Sequence, residues 1–283
     1  MKKIFILLMI FALVLMTGCG GSDGSKGGDK TSDANEVKVG MITHLNASEQ
    51  KMGDIYNALV QKAGLHLAKY KPVFFDNLST MQAGLDAGNV DQISTYACVA
   101  NYLTAANDKY AAVEDLKTVG LADSFCFAVR KDDAQLKADL DKAIDAMKSD
   151  GTLDKLVAEY ITNVKPDKIP TVEIPNVDGA ETLKIGITGD LPPFDLVTAD
   201  NSAAGFNTAM LAEIAKRLNR NVELVQIDSA ARSSALASGQ IDVIFWTIVP
   251  ANDSFPADID KPEGVELSAP YFKDDVTHLK LKQ

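Results

Sequence analysis

The residue types that most often carry catalysis or bind metals are few and scattered in this sequence. The chain of 283 residues has three histidines, His44, His66 and His278, and no two of them have the spacing of a metal-binding pair. The folded part contains no G-x-S-x-G, P-loop, H-E-x-x-H or dinucleotide-binding G-x-G-x-x-G motif. The sequence thus argues against a hydrolase, an NTPase or a dehydrogenase without excluding an enzyme, and we expect no cofactor and no metal.

Two thiols, Cys98 and Cys126, remain after Cys19. In an oxidising compartment they could form one disulfide. The alternative, which we favour, is a pair of buried free thiols, with Cys98 near the start of a helix and Cys126 in a strand.

A short tract with the pattern L-x-x-G-x-[VI]-D occurs twice, at residues 85–91 and 236–242. Each copy lies downstream of a similar opening strand, at residues 37–42 and 183–188. Two similar α/β units in one chain imply a cleft between them, and clefts are where small ligands bind.

Hydrophobic periodicity predicts alternating strands and helices in both units. The predicted strands are 37–42, 73–75, 90–94, 125–129, 183–188, 222–227, 241–245 and 276–281. The predicted helices are 48–63, 79–85, 98–105, 136–147, 153–161, 205–218 and 230–237. Residues 162–182 contain several prolines and are expected to form an extended, Pro-rich linker rather than a helix.

The first 18 residues have the composition of an export signal rather than of a folded element. Lys2 and Lys3 precede an apolar run at residues 4–16 that is too short to span a bilayer comfortably. The tetrad M-T-G-C that ends at Cys19 resembles a bacterial lipobox, with Met where Leu is commoner. This resemblance implies a lipoprotein signal peptide at 1–18, cleavage before Cys19 and a diacylglyceryl thioether, with palmitate-type acyl chains, on the sulfur of Cys19. The alternative is an ordinary secretory signal with an incidental Cys.

Residues 19–36 are predicted to be a lipid-anchored flexible tether. From residue 20 onward they carry no apolar side chain larger than Ala, so they cannot bury enough surface to fold. Such a tether reaches about 20–25 Å. We therefore expect an extracytoplasmic protein held to the membrane through Cys19. The formal net charge of −11 and the lack of a Lys/Arg cluster argue against a nucleic-acid partner.

Several stretches resemble the type-2 periplasmic binding proteins of amino-acid ABC importers, which form family 3 of the extracellular solute-binding proteins. Residues 183–283 resemble the first part of lobe 1 through LKIGITGDLPPF, GFNTAMLAEIAKRLN, ALASGQIDVI and ELSAPYF. Residues 37–122 resemble lobe 2, most clearly in FDNLSTMQAGLDAGNVDQISTYACVANYL. Residues 123–161 resemble the return strand and the last helices of lobe 1.

The order of these parts differs from the family, in which lobe 1 comes first, is interrupted by lobe 2 and then resumes. In this chain lobe 2 leads and the first part of lobe 1 trails, which suggests a circular permutation joined through residues 162–182. The alternative is a tandem array that lost its outer quarters. Permutation explains why each part occurs once.

The resemblance implies an α/β fold of two lobes, each a mixed sheet flanked by helices, with a hinge between them. It also implies a monomer that closes around a small solute and then docks on an ABC transporter permease. The solute would lie at the carboxyl ends of strands and at helix N-termini, where free N–H groups favour anions.

The resemblance also suggests a set of ligand contacts: Phe194, Arg232, Trp246, Thr247, Tyr96, Asn46, Ser48 and Asp190. Phe194 matches an aromatic residue that stacks on the ligand, although a Phe buried in the core would give the same sequence pattern. Arg232 matches a position that grips a carboxylate in acidic-amino-acid binders, although a solvated helix Arg is the alternative. Trp246 could equally belong to the core, and Asp190 could simply shape its loop.

Two departures from the family change the expected ligand. The family usually has T-P-E-R after the fourth strand of lobe 1, with its Arg on the α-carboxylate, whereas this chain has V-P-A-N at residues 249–252. The family's Asp for the α-ammonium is replaced by Tyr96. Because both charge partners of a zwitterion are absent, the sequence suggests a ligand other than a standard amino acid.

We therefore expect a solute-binding lipoprotein that captures a small polar solute for an importer. One alternative is a ligand-free interaction or sensory lipoprotein on the same fold. A minor alternative is a dehydratase-like enzyme, for which Asp190 is the candidate acid.

Overall fold

The structure, a computed structural model, describes residues 36–62, 69–113, 120–198, 202–251 and 256–282. The predicted signal peptide, Cys19 and nearly all of the predicted tether lie outside the described residues. Residues Asn35–Gln283 form one unit by their internal contacts. Within the described ranges, no helix is both long enough and apolar enough to cross a membrane.

The described residues contain thirteen strands and seven α-helices, close to the predicted elements. The strands are β1 Glu36–Ile42, β2 Lys69–Phe75, β3 Gln92–Tyr96, β4 Tyr110–Ala112, β5 Ala122–Arg130, β6 Thr182–Ile187, β7 Asp190–Leu191, β8 Asp195–Val197, β9 Ala203–Ala204, β10 Asn221–Gln226, β11 Val243–Pro250, β12 Val265–Leu267 and β13 Phe272–Leu281. The helices are α1 Glu49–Lys62, α2 Leu78–Asp86, α3 Ala97–Ala106, α4 Ala134–Ser149, α5 Thr152–Val157, α6 Phe206–Leu218 and α7 Arg232–Ala237. A π-helical turn, Ala158–Thr162, extends α5, and a 3₁₀ turn, Ser229–Ala231, precedes α7.

Ten of the strands form one sheet with the order β10-β6-β11-β5-β13-β3-β1-β2, to which β12 adds beside β5 and β4 beside β13. The first half consists of β1, β2, β3 and β4 with helices α1, α2 and α3. The second half consists of β5, β6, β10, β11 and β12 with helices α4 to α7 and the small separate sheet β7-β8-β9. Each half is mixed, because β1 and β6 pair with their neighbours in parallel whereas β13 and β5 pair antiparallel. The predicted α/β fold is confirmed, and the two mixed sheets predicted for the lobes are the two halves of one continuous sheet.

Strand β13 joins the two halves. Its first residues, 272–275, pair with β5, and residues 276–281 pair with β3 and β4. The end of the predicted 183–283 unit therefore extends the sheet of the predicted 37–122 unit. Strands β5 and β13 are thus the places where a hinge between the halves would bend.

The two copies of the repeated tract have the same local structure. In each copy a helix ends near a glycine in the left-handed region, Gly88 at φ 72° and Gly239 at φ 73°. The aspartate that follows closes a two-way bond with the opening strand: Asp91 with Lys38, and Asp242 with Lys184. The repeat in the sequence is therefore a repeat in the structure.

Apolar side chains fill the space between the sheet and the helices on both halves. Helix α6 buries Phe206, Met210, Leu211 and Ile214 along the face predicted from its periodicity. Residues 163–181 contain no helix, and their only strand-like pairings are isolated bridges at Lys165–Lys168 and Thr171–Ala204.

Candidate functional site

A cavity of about 70 Å³ lies where the two sheet halves meet. Its walls come from the end of β1, from α1, β3 and β13 on one side and from α7, β11 and residues 259–260 on the other, with the start of β5 between them. The polar or aromatic lining residues are Thr43, His44, Tyr56, Ser94, Thr95, Tyr96, Asp123, Arg232, Trp246 and Asp260. Both halves therefore contribute functional groups to one small space.

Trp246 reaches this cavity because strand β11 is irregular. Ile244 pairs with Ala128 and Thr247 with Cys126, so β11 has one residue more than β5 between these pairs. Trp246 takes up this bulge at φ 66°, a conformation that costs energy for a bulky residue. Its side chain is 9 % exposed, and its Nε1–H has no hydrogen-bond partner among the described residues. Strained residues that persist often mark binding sites.

Tyr96 and Asp123 form a buried pair at the cavity. The hydroxyl of Tyr96 donates to Oδ2 of Asp123 at 3.0 Å, and its ring meets the indole of Trp246 edge to face at 6.0 Å. Burial raises the pKa of Asp123 to about 6, and the nearby Asp260 acts in the same direction, whereas Tyr96 and His44 oppose the rise. This carboxylate is therefore poorly compensated by its surroundings.

Arg232 is a buried cation and not the solvated helix residue that the sequence allowed. Its Nε donates to the carbonyl of Ser229, its Nη1 to the carbonyl of Trp246 and its Nη2 to the carbonyl of Thr43, at 3.2, 3.0 and 2.9 Å. The guanidinium lies 5.2 Å from the ring centre of Trp246. Burial lowers the pKa of Arg232 to about 10, although Asp260 and Asp195 favour its charged form. The bond to Thr43 connects the two sheet halves.

Asp260 contacts the turn that precedes helix α1, although it comes from the opposite end of the chain. Its Oδ1 accepts the backbone N–H groups of Asn46 and Ala47 at 2.8 and 3.3 Å, and its Oδ2 lies 3.5 Å from Nδ1 of His44. Burial alone raises the pKa of Asp260, but the contact with His44 and the two N–H groups outweigh burial and hold the pKa below its ordinary value. Asp260 is therefore held as a buried anion.

Asn46 and Ser48 lie behind Asp260 and do not line the cavity. The side-chain amide of Asn46 donates to the carbonyl of Lys261 at 3.2 Å. Oγ of Ser48 accepts the N–H of Lys51 at 3.2 Å, which is the N-cap role predicted for this residue. Both residues shape the start of α1.

Phe194, Thr247 and Asp190 also lie outside the cavity wall. Phe194 has no exposed surface and packs 5.1 Å from Phe125, as the core alternative predicted. Thr247 is buried in β11, and its hydroxyl has no partner among the described residues. Asp190 accepts the backbone N–H and the hydroxyl of Ser79, at 2.9 and 3.0 Å, across the two halves. The cavity acids are Asp123 and Asp260 instead.

Sequence reasoning did not select Asp123, Asp260 or His44 as site residues. A signal for Asp123 exists, because it is a charged residue at the start of the apolar strand ADSFCFAV. Asp260 has no such signal, because its role depends on a contact with residues more than 200 positions away. Among the described residues there is no group of three or more His, Cys, Asp or Glu that could hold a metal ion.

The two cysteines are free and buried, as the favoured alternative predicted. Cys98 receives no disulfide partner, and its backbone N–H donates to Asp274 at 2.9 Å. Burial raises the pKa of Cys126 to about 11, which makes it a poor nucleophile.

Comparison with known proteins points to one family. The family model described as bacterial extracellular solute-binding proteins, family 3, matches residues 52–163 and 183–254, together more than half of the chain. The two matched segments lie on either side of the predicted Pro-rich linker. Family membership rests on this match.

Individual relatives are more distant. A probable histidine-binding protein of Campylobacter jejuni is 30% identical over 101 residues, which is 36% of this chain and 36% of that protein. The match thus spans about a third of the relative's length. Among solved structures, the methionine-binding protein MetQ is 12% identical with a TM-score of 0.41, covering 88% of this chain and 84% of that one. The GluR0 ligand-binding core from Nostoc punctiforme, in complex with L-glutamate, is 8% identical with a TM-score of 0.38, covering 87% and 85%.

Proposed function

Because this chain belongs to family 3 of the bacterial extracellular solute-binding proteins, we propose that it captures a small polar solute in the cavity between its two sheet halves. The observation that carries the proposal is the composition of the cavity wall. Trp246 and Arg232 from the second half and Tyr96 from the first meet around one space, and Trp246 keeps an unused donor there. A few placed polar groups in a mostly apolar wall are typical of solute sites.

The contacts between the halves support binding by closure. Arg232 donates to Thr43, Asp260 accepts from Asn46 and Asp190 accepts from Ser79. These bonds form only when the two halves approach each other. A solute that contacts both walls adds further contacts between the two halves and therefore favours the closed arrangement.

The proposed cellular role is delivery of the solute to an ABC transporter permease, from a monomer anchored outside the cytoplasm through a lipid on Cys19. The family match and the lipobox-like tetrad support this role. Metabolic labelling with palmitate tests the anchor: the wild-type chain becomes labelled, and Cys19→Ser does not. An unlabelled wild-type chain of full length would contradict the anchor without affecting the binding proposal.

Thermal unfolding of the purified protein against a panel of amino acids, amines, carboxylates and aromatic metabolites tests solute binding. A ligand that binds only the folded state adds about 2.7 kcal/mol of stability at a hundredfold excess over its dissociation constant. The shift should be smaller in Tyr96→Phe, which loses the bond to Asp123, and unchanged in the control Tyr102→Phe, which lies outside the cavity. No shift with any solute would contradict the proposal.

A ligand-free interaction or sensory lipoprotein is the second candidate. The bonds of Arg232 to three backbone carbonyls favour it, because they engage the cation that a carboxylate ligand would need. This candidate predicts a stable protein without any solute-induced shift.

We also propose that the chain is a circular permutant of the family order. Each family part occurs once, and residues 163–181 connect the end of α5 and its π-turn to β6 without a helix of their own. The test is a reordered gene that starts at residue 183, runs to 283, continues through a Gly/Ser linker into residue 36 and ends at residue 162. A reordered chain that folds and binds the same solutes supports the proposal, and one that fails to fold contradicts it.

A further inference from the structure

We propose that the solute is a small organic ammonium ion with a neutral hydrogen-bond acceptor and no carboxylate, because the protein places its own carboxylate, Asp260, where a ligand carboxylate would bind. This inference rests on the proposed solute-binding function and specifies the chemical class of the ligand. Three features of the cavity support it: a filled anion position, an unmatched carboxylate and a wall of aromatic rings.

The anion position is the turn that precedes Ser48, the N-cap of helix α1. Successive backbone N–H groups that point at one spot attract an anion, and a solute carboxylate would bind there. In this protein Asn46 and Ala47 already donate to Oδ1 of Asp260, which is buried, and His44 faces its other oxygen. A solute carboxylate would have to displace Asp260 and then lie beside a second buried acid.

The unmatched carboxylate is Asp123. Arg232 and Asp260 are opposite charges in the same cavity and compensate each other. Asp123 accepts one hydrogen bond, from the hydroxyl of Tyr96, and it forms no salt bridge among the described residues. The carboxylate opposite it in the strand pairing, Asp274, is turned to the N–H of Cys98.

No positively charged side chain among the described residues forms a direct contact with Asp123. Tyr96 and Tyr56 are neutral aromatics, His44 is engaged with Asp260, and Asp260 is itself an acid. Desolvation is the largest cause of the raised pKa of Asp123, about 6, and it outweighs the opposing effects of Tyr96 and His44. A bound ammonium ion would remove this penalty, and its affinity should fall as the pH drops below about 6.

The aromatic wall suits a cation with a polar end. Tyr96, Tyr56 and Trp246 line the cavity, and ring faces attract ammonium groups that have lost their water. Trp246 already holds the guanidinium of Arg232 at 5.2 Å, which shows that its ring accepts a cation. Its buried Nε1–H has no partner among the described residues and needs an acceptor such as a hydroxyl oxygen. Amino alcohols combine both groups.

The test is calorimetric titration of the purified protein with matched solutes at pH 7.5. Ethanolamine and choline are the ammonium probes, 3,3-dimethyl-1-butanol is the neutral analogue of choline, and glycine and glycine betaine add a carboxylate. We expect at least one ammonium probe to bind, and the neutral analogue and the carboxylate-bearing solutes to bind at least about 30-fold more weakly, since a buried charge pair is lost or a second acid is added.

Two variants separate the roles of the acids. Asp123→Asn should lower the affinity for the ammonium probe by at least about 30-fold. The control Asp132→Asn removes an exposed acid beyond the other end of β5 and should leave this affinity unchanged. Asp260→Asn should narrow the difference in affinity between choline and glycine betaine, because it removes the negative charge that repels a solute carboxylate; Asp258→Asn is its exposed control.

The outcomes distinguish this inference from the proposed function. Equal or tighter binding of glycine, glycine betaine or the neutral analogue overturns the ammonium assignment and leaves solute binding intact. Binding of none of the five probes, together with a thermal shift from another solute, also overturns the assignment alone. Absence of any shift in the whole panel overturns both.

Discussion

The two copies of the tract L-x-x-G-x-[VI]-D have the same backbone but opposite surroundings at the far ends of their helices. Helix α2, which leads into the first copy, begins beside Ser79, whose N–H and hydroxyl bind Asp190 from the other half. Helix α7, which leads into the second copy, begins with Arg232, whose guanidinium is buried in the cavity. One copy thus contributes a contact between the halves and the other contributes a charge to the site.

This difference shows which properties of the molecule are local. The glycine turn and the aspartate that closes on the opening strand depend only on residues inside each unit, so they repeat. The helix starts depend on what the opposite unit supplies, so they diverge. Variants of the buried leucine that the two copies share should therefore affect both copies alike, whereas cavity variants should have effects without a counterpart in the other copy.

The largest expected effect comes from the matched core leucines of the tract. Leu85 and Leu236 are both buried, and replacing either by Ala should lower the free energy of unfolding by about 2–5 kcal/mol through lost burial and a cavity. Urea unfolding of the two variants measures it, with the exposed Val197→Ala as a control within about 0.5 kcal/mol. A large loss in one copy and none in the other would show that the copies are not equivalent in the fold.

The contribution of the cavity carboxylate Asp123 to the free energy of unfolding should depend on pH, unlike that of the two leucines. Burial raises the pKa of Asp123 from 3.8 to about 6, so the folded state holds its proton more tightly than the unfolded state. Its contribution to stability therefore falls as the pH rises from about 4 to above 6, by about 3 kcal/mol. Asp123→Asn lacks this group, so the stability of the variant relative to the wild type should increase over the same pH range. Denaturant unfolding from pH 4 to pH 8 measures the difference.

A cation or a positively charged group bound to Asp123 would reverse this dependence of stability on pH. If the stability of the wild type relative to Asp123→Asn does not change, or rises with pH, then Asp123 has a positive partner and the unmatched charge assigned to it is wrong. The exposed acid Asp132 provides the baseline, because Asp132→Asn should show no such dependence.

The smallest expected effect sharpens the comparison within the tract. Asp242 accepts the N–H of Lys184 and also Nη2 of Arg130 at 3.0 Å, whereas Asp91 accepts only the N–H of Lys38 at 2.8 Å. Asp242→Ala should therefore cost about 2 kcal/mol and Asp91→Ala about 1 kcal/mol. Chemical unfolding of both variants and of Arg130→Ala tests this ranking of the losses in free energy of unfolding. Equal losses would mean that Arg130 adds nothing to the stability of the second copy.

The sequence was sufficient for most of the fold because the fold uses local patterns. The period of apolar residues located all seven α-helices of the described ranges, and the strand beginning near Val37 and the cap Ser48 were predicted from residue types alone. The short strands β4, β7, β8, β9 and β12 were missed, since two or three residues carry no periodic signal.

The site was less predictable because its groups come from distant parts of the chain. Trp246, Tyr96 and Arg232 were selected and line the cavity, but Asp123 and Asp260 were not. Trp246 reaches the cavity through a bulge that the residue types of β11 do not indicate. Asp260 binds the turn before α1, which is more than 200 residues away in the chain, and only the assembled fold brings the two together.

The most direct test of the account is the emission of the single tryptophan during a solute titration. The chain has one Trp, and it is Trp246 in the cavity wall, so its fluorescence reports on occupancy of this space. The account predicts that any solute that raises the unfolding temperature also changes the emission of Trp246 in a saturable way, with the midpoint found by calorimetry. A solute that stabilises the protein without any change in this emission would contradict the claim that the cavity between the sheet halves is the binding site.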